Sequence, residues 1–131
     1  MTGIPAHLPH RHPFLLVDRV LVREPGRRVV AEKLLAGGEP CFPGASEVPG
    51  TILLEMLAQA GGFLEAESLH GAAIFLAGIS EARFLAPAAP GDVLRLEVRM
   101  EGAFAGLLKL AGSVRCEGRE LCTASLLVKR L

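Results

Sequence analysis

The sequence predicts an α+β fold in which a single antiparallel sheet wraps around one long helix. Only one segment, residues 51–69, lacks proline and is rich in helix-forming residues, whereas six segments have the branched aliphatic content or the alternation of strands. One helix cannot supply the crossovers that a doubly wound parallel sheet requires. The first half of this helix is apolar nearly all round, which is typical of a helix enclosed by other elements.

The first two strands are predicted on either side of the turn "EPG", at residues 24–26. The strand before the turn covers residues 14–22, and the strand after it starts at Arg27. Between this hairpin and the helix, residues 37–50 contain four glycines and three prolines. Such a composition predicts a sharply turning loop with exposed backbone N–H groups.

Four more strands are predicted after the helix, at residues 73–86, 92–101, 104–117 and 119–131. The middle two alternate between apolar and polar residues, as half-buried strands do. Turns that contain glycine connect the four segments at spacings that suit an antiparallel meander.

The bulk composition narrows the class of protein. The chain of 131 residues has the size of one domain, covering residues 1–131. Its 14 basic and 14 acidic side chains cancel, which argues against a nucleic acid partner. No uncharged apolar run reaches the roughly 18 residues that span a bilayer, and residues 1–14 do not resemble a signal peptide. We therefore expect no membrane partner and a cytoplasmic location.

The three cysteines, Cys41, Cys116 and Cys122, form no C-x-x-C pair. Their number and spacing indicate neither a disulfide framework nor a zinc site. Cys116 and Cys122 flank a turn, and we expect both to be small buried residues with reduced thiols. No metal or organic cofactor is expected.

Three polar side chains stand out on the predicted helix because they fall on one narrow face. Thr51, Glu55 and Gln59 follow one another at intervals of four residues. A carboxylate in apolar surroundings is costly unless it is paired or hydrogen-bonded. One explanation for Glu55 is that this face meets solvent or a subunit boundary. The other is a functional carboxylate near a helix N-terminus, beside a glycine loop, that acts as an acid or a base.

Three long segments of the chain are similar to one known family. They are "LPHRHPFLLVDRV", "FPGASEVPGTILLEMLAQAGG" and "GISEARFLAPAAPGD", and the similarity extends over nearly the whole chain. Together they resemble the bacterial (3R)-3-hydroxyacyl-acyl carrier protein dehydratases of fatty acid synthesis, which have the hot dog fold. The resemblance implies elimination of water from a 3-hydroxyacyl thioester carried by acyl carrier protein or coenzyme A. It also implies a homo-oligomer, a dimer or a dimer-based hexamer, with acyl tunnels at the subunit interface that the central helix lines.

The resemblance also implies roles for individual positions. Glu55 matches the family's catalytic helix carboxylate, which works with a histidine from the loop of the other subunit. Gln59 matches a glutamine that helps to order the helix face. Gly44 matches the glycine whose backbone N–H polarises the thioester carbonyl.

The loop before the helix departs from the family pattern. The family has E-P-F-F-x-G-H-F-P-G, whereas this chain has "EPCFPG", which is four residues shorter and has no histidine. Two alignments fit equally well: Cys41 stands at the histidine position, or it matches the first phenylalanine and the histidine is deleted. A thiolate beside the β-carbon would be expected to add to the enoyl product, which favours a small apolar role for Cys41 over a catalytic one.

Histidines that could replace the missing loop histidine occur only in the opening segment. His10 matches a family histidine there, whereas His12 replaces a tyrosine and is a candidate base. Either could instead be structural. His70 lies 15 residues beyond Glu55. That separation is about 22 Å along a helix, which is too far to reach the same substrate atoms.

Three functions therefore stay open. The first is a dehydratase, either weakened by the loss of the loop histidine or using a histidine from elsewhere or from a partner subunit. The second is a hot dog thioesterase, in which Glu55 acts as base or nucleophile and Gly44 supplies the backbone donor. The third is a non-catalytic acyl-binding or assembly subunit that keeps the tunnel.

Overall fold

The computed structural model describes residues 16–36, 47–64 and 74–130. Most of these residues are in β-strands. The elements are, in chain order, β1 (Arg19–Glu24), β2 (Arg28–Leu34), α1 (Gly50–Gly61), a 3-10 turn (Gly62–Leu64), β3 (Ile74–Phe84), β4 (Val93–Phe104), β5 (Leu107–Cys116) and β6 (Arg119–Arg130). The six strands form one antiparallel sheet in the order β1-β2-β4-β5-β6-β3, and α1 packs against it. The predicted fold class is confirmed.

Strands β4, β5 and β6 form the predicted meander, and β3 departs from it. The two hairpin loops of the meander are Ala105–Gly106 and Glu117–Gly118, and all four residues have positive φ. Positive φ at both loop positions matches the twist of the flanking strands. β3 pairs with β6 and not with β4, so the expectation of a four-stranded meander is wrong. The chain crosses the sheet between β2 and β3, so that β3 lies at the far edge and β2 pairs with β4.

The α-helix is shorter than the predicted segment 51–69. It ends at Gly61 and a 3-10 turn continues to Leu64, while residues 65–69 lie outside the described part. Two consecutive glycines weaken the helix here, because glycine loses the most conformational entropy. Close packing requires the first of them, since a Cβ atom on Gly61 would lie 2.6 Å from Cδ1 of Leu110. Within the described ranges, no helix has the length and apolar character needed to cross a membrane.

The hydrophobic core lies between one face of the sheet and the helix. Alternate residues of the strands point into it, such as Leu94, Leu96 and Val98 of β4, each 0% exposed. On the helix, every residue from Met56 to Gly61 is buried. The prediction of an enclosed helix is therefore confirmed.

Groups of the β1–β2 hairpin bind carbonyl groups just beyond the C-terminal end of the helix. Carbonyl groups at a helix C-terminus have no partner within the helix. The side-chain Nε of Arg23 donates to the carbonyl of Phe63 at 2.9 Å. The backbone N–H of Gly26, which has a φ of 74°, donates to the carbonyl of Leu64 at 2.6 Å. The hairpin thus fixes the position of the helix relative to β1 and β2.

Cys116 and Cys122 lie on the same hairpin but do not face each other. Cys122 is opposite Val114 in the register, and Cys116 is opposite Arg119. Both carry free thiols; Cys122 is fully buried, and Cys116 is half-buried. Burial disfavours the thiolate, and it raises the pKa of Cys122 to about 11 and also raises the pKa of Cys116. The expected burial is found for Cys122, whereas Cys116 is only half-buried.

Candidate active site

The three polar side chains of the helix differ in exposure along its length. Thr51 is exposed, Glu55 is partly buried, and Gln59 is 0% exposed. Because they share one face of the helix, this face runs from the protein surface into the core. The explanation that the face meets solvent holds for Thr51 and fails for Gln59.

A surface cavity of about 580 Å³ opens where the helix starts. Its walls include Thr51 and two apolar side chains that follow one another at the end of β3, Phe84 and Leu85, each 55% exposed. Glu55 lies one helical turn further along from Thr51. This volume falls within the range of sites that hold small organic molecules.

Gln59 connects Glu55 to a distant segment of the chain. Its Oε1 accepts a hydrogen bond from the backbone N–H of Leu16 at 2.7 Å. Its Nε2 donates to Oε1 of Glu55 at 3.2 Å, across one helical turn. Since a backbone N–H can only donate, the first bond fixes which end of the amide faces Glu55. Glu55 therefore meets an N–H donor, a contact that suits a carboxylate.

Lys33 is the other buried polar side chain in the described ranges, at 6% exposed. Its Nζ lies 3.5 Å from Oδ1 of Asp18, whose Oδ2 accepts the backbone N–H of Leu34 at 2.7 Å. Lys33 was not among the residues predicted from the sequence. Its place in the inward series of β2, after Val29 and Ala31, was the signal that could have identified it.

The other sequence-predicted residues lie outside the described ranges; they are Cys41, Gly44, His10, His12 and His70. Of the predicted site, the structure thus brings together Glu55 and Gln59. Among the side chains that the structure describes, no group of three or more histidine, cysteine, aspartate and glutamate residues could hold a metal ion.

Comparison with known proteins identifies the family. The model of the FabA-like domain matches residues 8–125 of the chain. A protein from Roseiflexus sp. (strain RS-1), named 3-hydroxyacyl-[acyl-carrier-protein] dehydratase FabZ, is 43% identical over 130 residues, which cover 95% of this chain and 91% of the relative. The chain belongs to the 3-hydroxyacyl-acyl carrier protein dehydratase family. A second dehydratase of the same name, from Symbiobacterium thermophilum, is 51% identical over 106 residues, 76% of this chain and 75% of the relative. Membership confirms the resemblance that the sequence motifs indicated and makes the chain a dehydratase-family hydro-lyase.

Solved structures support the hot dog fold of this dehydratase-family chain. The dehydratase heterocomplex ApeI:P from Xenorhabdus doucetiae has a TM-score of 0.87 at 22% identity, and the match covers 100% of this chain and 92% of that one. A putative thioesterase from Ralstonia eutropha has a TM-score of 0.64 at 19% identity, covering 84% of this chain and 83% of that one. Dehydratases and thioesterases therefore share this fold, and the chemistry has to be argued from the site.

Proposed function

We propose that the protein removes water from a 3-hydroxyacyl thioester to give the trans-2-enoyl thioester, with Glu55 as its acid–base group. Membership of the dehydratase family supports this reaction. The observation that carries the role of Glu55 is its hydrogen bond from the fully buried Gln59. A catalytic carboxylate has to be held in one orientation, and this bond from a buried amide restricts the side chain.

One carboxyl group is sufficient for the proton transfers of the elimination. The Glu55 carboxylate takes the proton from the carbon next to the thioester carbonyl, and the C–H electron pair forms the new double bond as the hydroxyl leaves the β-carbon. The carboxylic acid then gives its proton to the departing hydroxide, so that water forms and the carboxylate is restored. This scheme needs no loop histidine.

The loop "EPCFPG" supplies the other groups in this proposal. Negative charge develops on the thioester oxygen as the proton leaves, and a backbone N–H is a suitable donor to it. By resemblance to the family, we assign this donor to Gly44. We assign Cys41 no proton transfer, because a reactive thiolate beside the product would add to its β-carbon.

The assembly in this proposal is a homodimer, alone or as part of a dimer-based hexamer, that works on acyl carrier protein substrates in the cytoplasm. β3 lies at the edge of the sheet and pairs on one side with β6. Exposed apolar side chains near this edge include Ile79, Phe84 and Leu127. An edge strand with apolar neighbours is suited to pairing with a second copy, as the family resemblance implies. The names of the relatives favour acyl carrier protein over coenzyme A as the carrier.

A second candidate function is an acyl-binding or assembly subunit without activity of its own. The observation that favours it is the shortened loop, which lacks the histidine of the family pattern. In that case the dehydration would depend on a different subunit, and Glu55 would serve the packing of the helix.

The purified chain should be incubated with a 3-hydroxyacyl thioester of acyl carrier protein, and in parallel with the coenzyme A thioester. Enoyl formation and release of free thiol are followed in the same sample, for the wild type and for Glu55→Gln and Cys41→Ala. We expect enoyl product from the wild type and from Cys41→Ala, and none above background from Glu55→Gln. Free thiol without enoyl product would identify a thioesterase. Neither signal would favour the non-catalytic subunit.

A further inference from the structure

A buried lysine on the inner face of the sheet has no part in the elimination scheme. Lys33 is 6% exposed and belongs to the β2 series that packs toward the helix, with Val29 and Ala31, both 0% exposed. Lysine is seldom buried, because its charge loses hydration and its long side chain loses rotamer freedom. The ammonium group of a lysine in such a place requires compensating contacts.

Lys33 is connected to the candidate active site through Asp18. Its Nζ lies 3.5 Å from the carboxylate of Asp18. Asp18 is also fixed by its backbone, because its N–H donates to the carbonyl of Glu32 at 3.0 Å and its Oδ2 accepts the N–H of Leu34. The ammonium and two backbone groups of β2 thus hold one residue of the segment before β1.

The same segment orients the amide that binds Glu55. Two residues before Asp18, the N–H of Leu16 donates to Oε1 of Gln59, and Nε2 of Gln59 donates to Glu55. Leu16 and Val17 are each 2% exposed, so the short segment between the two polar contacts is itself packed in the core. A shift of the segment at Asp18 would therefore be transmitted to Leu16.

We infer that Lys33 is a positioning residue for Glu55, acting through Asp18, the backbone of residues 16–18 and the amide of Gln59. Its catalytic consequence rests on the proposed dehydratase function, but the positioning itself does not. Asp18 keeps 45% of its side chain exposed, so its carboxylate can be hydrated when the lysine is removed. Lys33→Met retains most of the apolar volume and is expected to fold.

The composition of the chain allows a direct test of the positioning. Gln59 is the only glutamine and there is no asparagine, so the chain has one side-chain carboxamide. Its two N–H signals are therefore a unique pair in an amide nitrogen–proton NMR spectrum. We expect this pair to shift or broaden in Lys33→Met and in Asp18→Ala, neither of which adds a second carboxamide. The control is Arg19→Met, which removes the 2.8 Å ion pair of Arg19 with Glu32. In this variant we expect the two Gln59 signals to keep their wild-type positions.

The kinetic test separates positioning from general loss of structure. For Lys33→Met we expect kcat to fall about tenfold with KM changed less than about twofold, because the acid–base group is misplaced while the acyl site is kept. The double variant with Gln59→Leu should have the kcat of Gln59→Leu alone, since both changes act on one contact. Arg19→Met should keep the wild-type kcat.

Two results would overturn the inference. One is an unchanged Gln59 amide pair in Lys33→Met, whether or not the wild type has activity. The other is a kcat of the double variant that is lowered by the product of the two single-variant factors. A wild type without enoyl formation would refute the proposed function, and the NMR comparison would still decide the positioning.

Discussion

The backbone N–H of Leu16 donates to Oε1 of Gln59 at 2.7 Å and joins parts of the chain that are 43 residues apart. This bond joins the segment before β1 to the last turn of the helix. It occupies the oxygen end of the only side-chain amide in the protein, and so it leaves the N–H end for Glu55. The contact between Leu16 and Gln59 therefore determines which end of the amide faces Glu55.

Replacement of Gln59 by leucine should reduce both stability and activity. The buried N–H of Leu16 would lose its acceptor, which costs about 1–3 kcal/mol in the free energy of unfolding. Glu55 would lose the hydrogen bond from Nε2 of Gln59, and kcat should fall. Urea unfolding and the rate of enoyl formation measure the two effects. Thr51→Val, a change on the same face at an exposed position, is the control for stability and should leave the free energy of unfolding unchanged. An unchanged stability of Gln59→Leu would contradict the structural role of this bond.

The fold could be predicted from the sequence to the extent that it depends on local patterns. Period-two alternation in β4 and β5 and the proline-free segment after residue 50 identified the elements and the single sheet. The place of β3 could not be predicted in this way, because turn chemistry does not say which strand pairs with β6. The need for glycine at position 61, where the α-helix ends, comes from the close approach of Leu110, a residue far along the chain.

The candidate site could be predicted from the sequence only where its contacts are between neighbouring residues of one element. Glu55 and Gln59 are four residues apart on one helix, and their contact follows from helical geometry. The bond to Leu16 and the pairing of Lys33 with Asp18 arise from tertiary packing between segments. Patterns of neighbouring residues do not contain that information.

Two glycines of the helix should respond differently to alanine, although a new Cβ would meet a carbon atom at 2.6 Å in both cases. At Gly61 the neighbour is Leu110, which is 0% exposed, and the overpacking should cost about 1–3 kcal/mol. At Gly50 the neighbour is the ring of Phe84, which is 55% exposed and can move aside. Gly50→Ala should therefore be nearly neutral or slightly stabilising, because alanine favours the helix. Thermal and urea unfolding of the two variants check this; equal losses of stability would show that the Phe84 ring is held in place.

The thiol of Cys122 should make the protein less stable in alkaline solution. Burial raises its pKa from 9.0 to about 11, so the folded state favours the protonated thiol. This contribution to stability is fully present below pH 9 and is lost as the pH rises through the interval between these two values. The unfolding free energy of the wild type should consequently fall more steeply between pH 9 and 10.5 than that of Cys122→Ala. Parallel slopes in urea unfolding at several pH values would exclude this effect.

A charge near the edge of β3 should weaken the proposed homodimer. Ile79 lies on this edge strand and is 44% exposed, and a lysine there would place a charge beside any strand that pairs with β3. We expect Ile79→Lys to raise the dissociation constant of the dimer about tenfold or more, a loss of about 1.4 kcal/mol. Val93→Lys is the matched control, since Val93 is 47% exposed but lies on β4, inside the sheet. Sedimentation equilibrium over a range of concentrations gives the constants. Equal weakening by both variants would point to general charge repulsion, and a wild type that stays monomeric would refute the dimer.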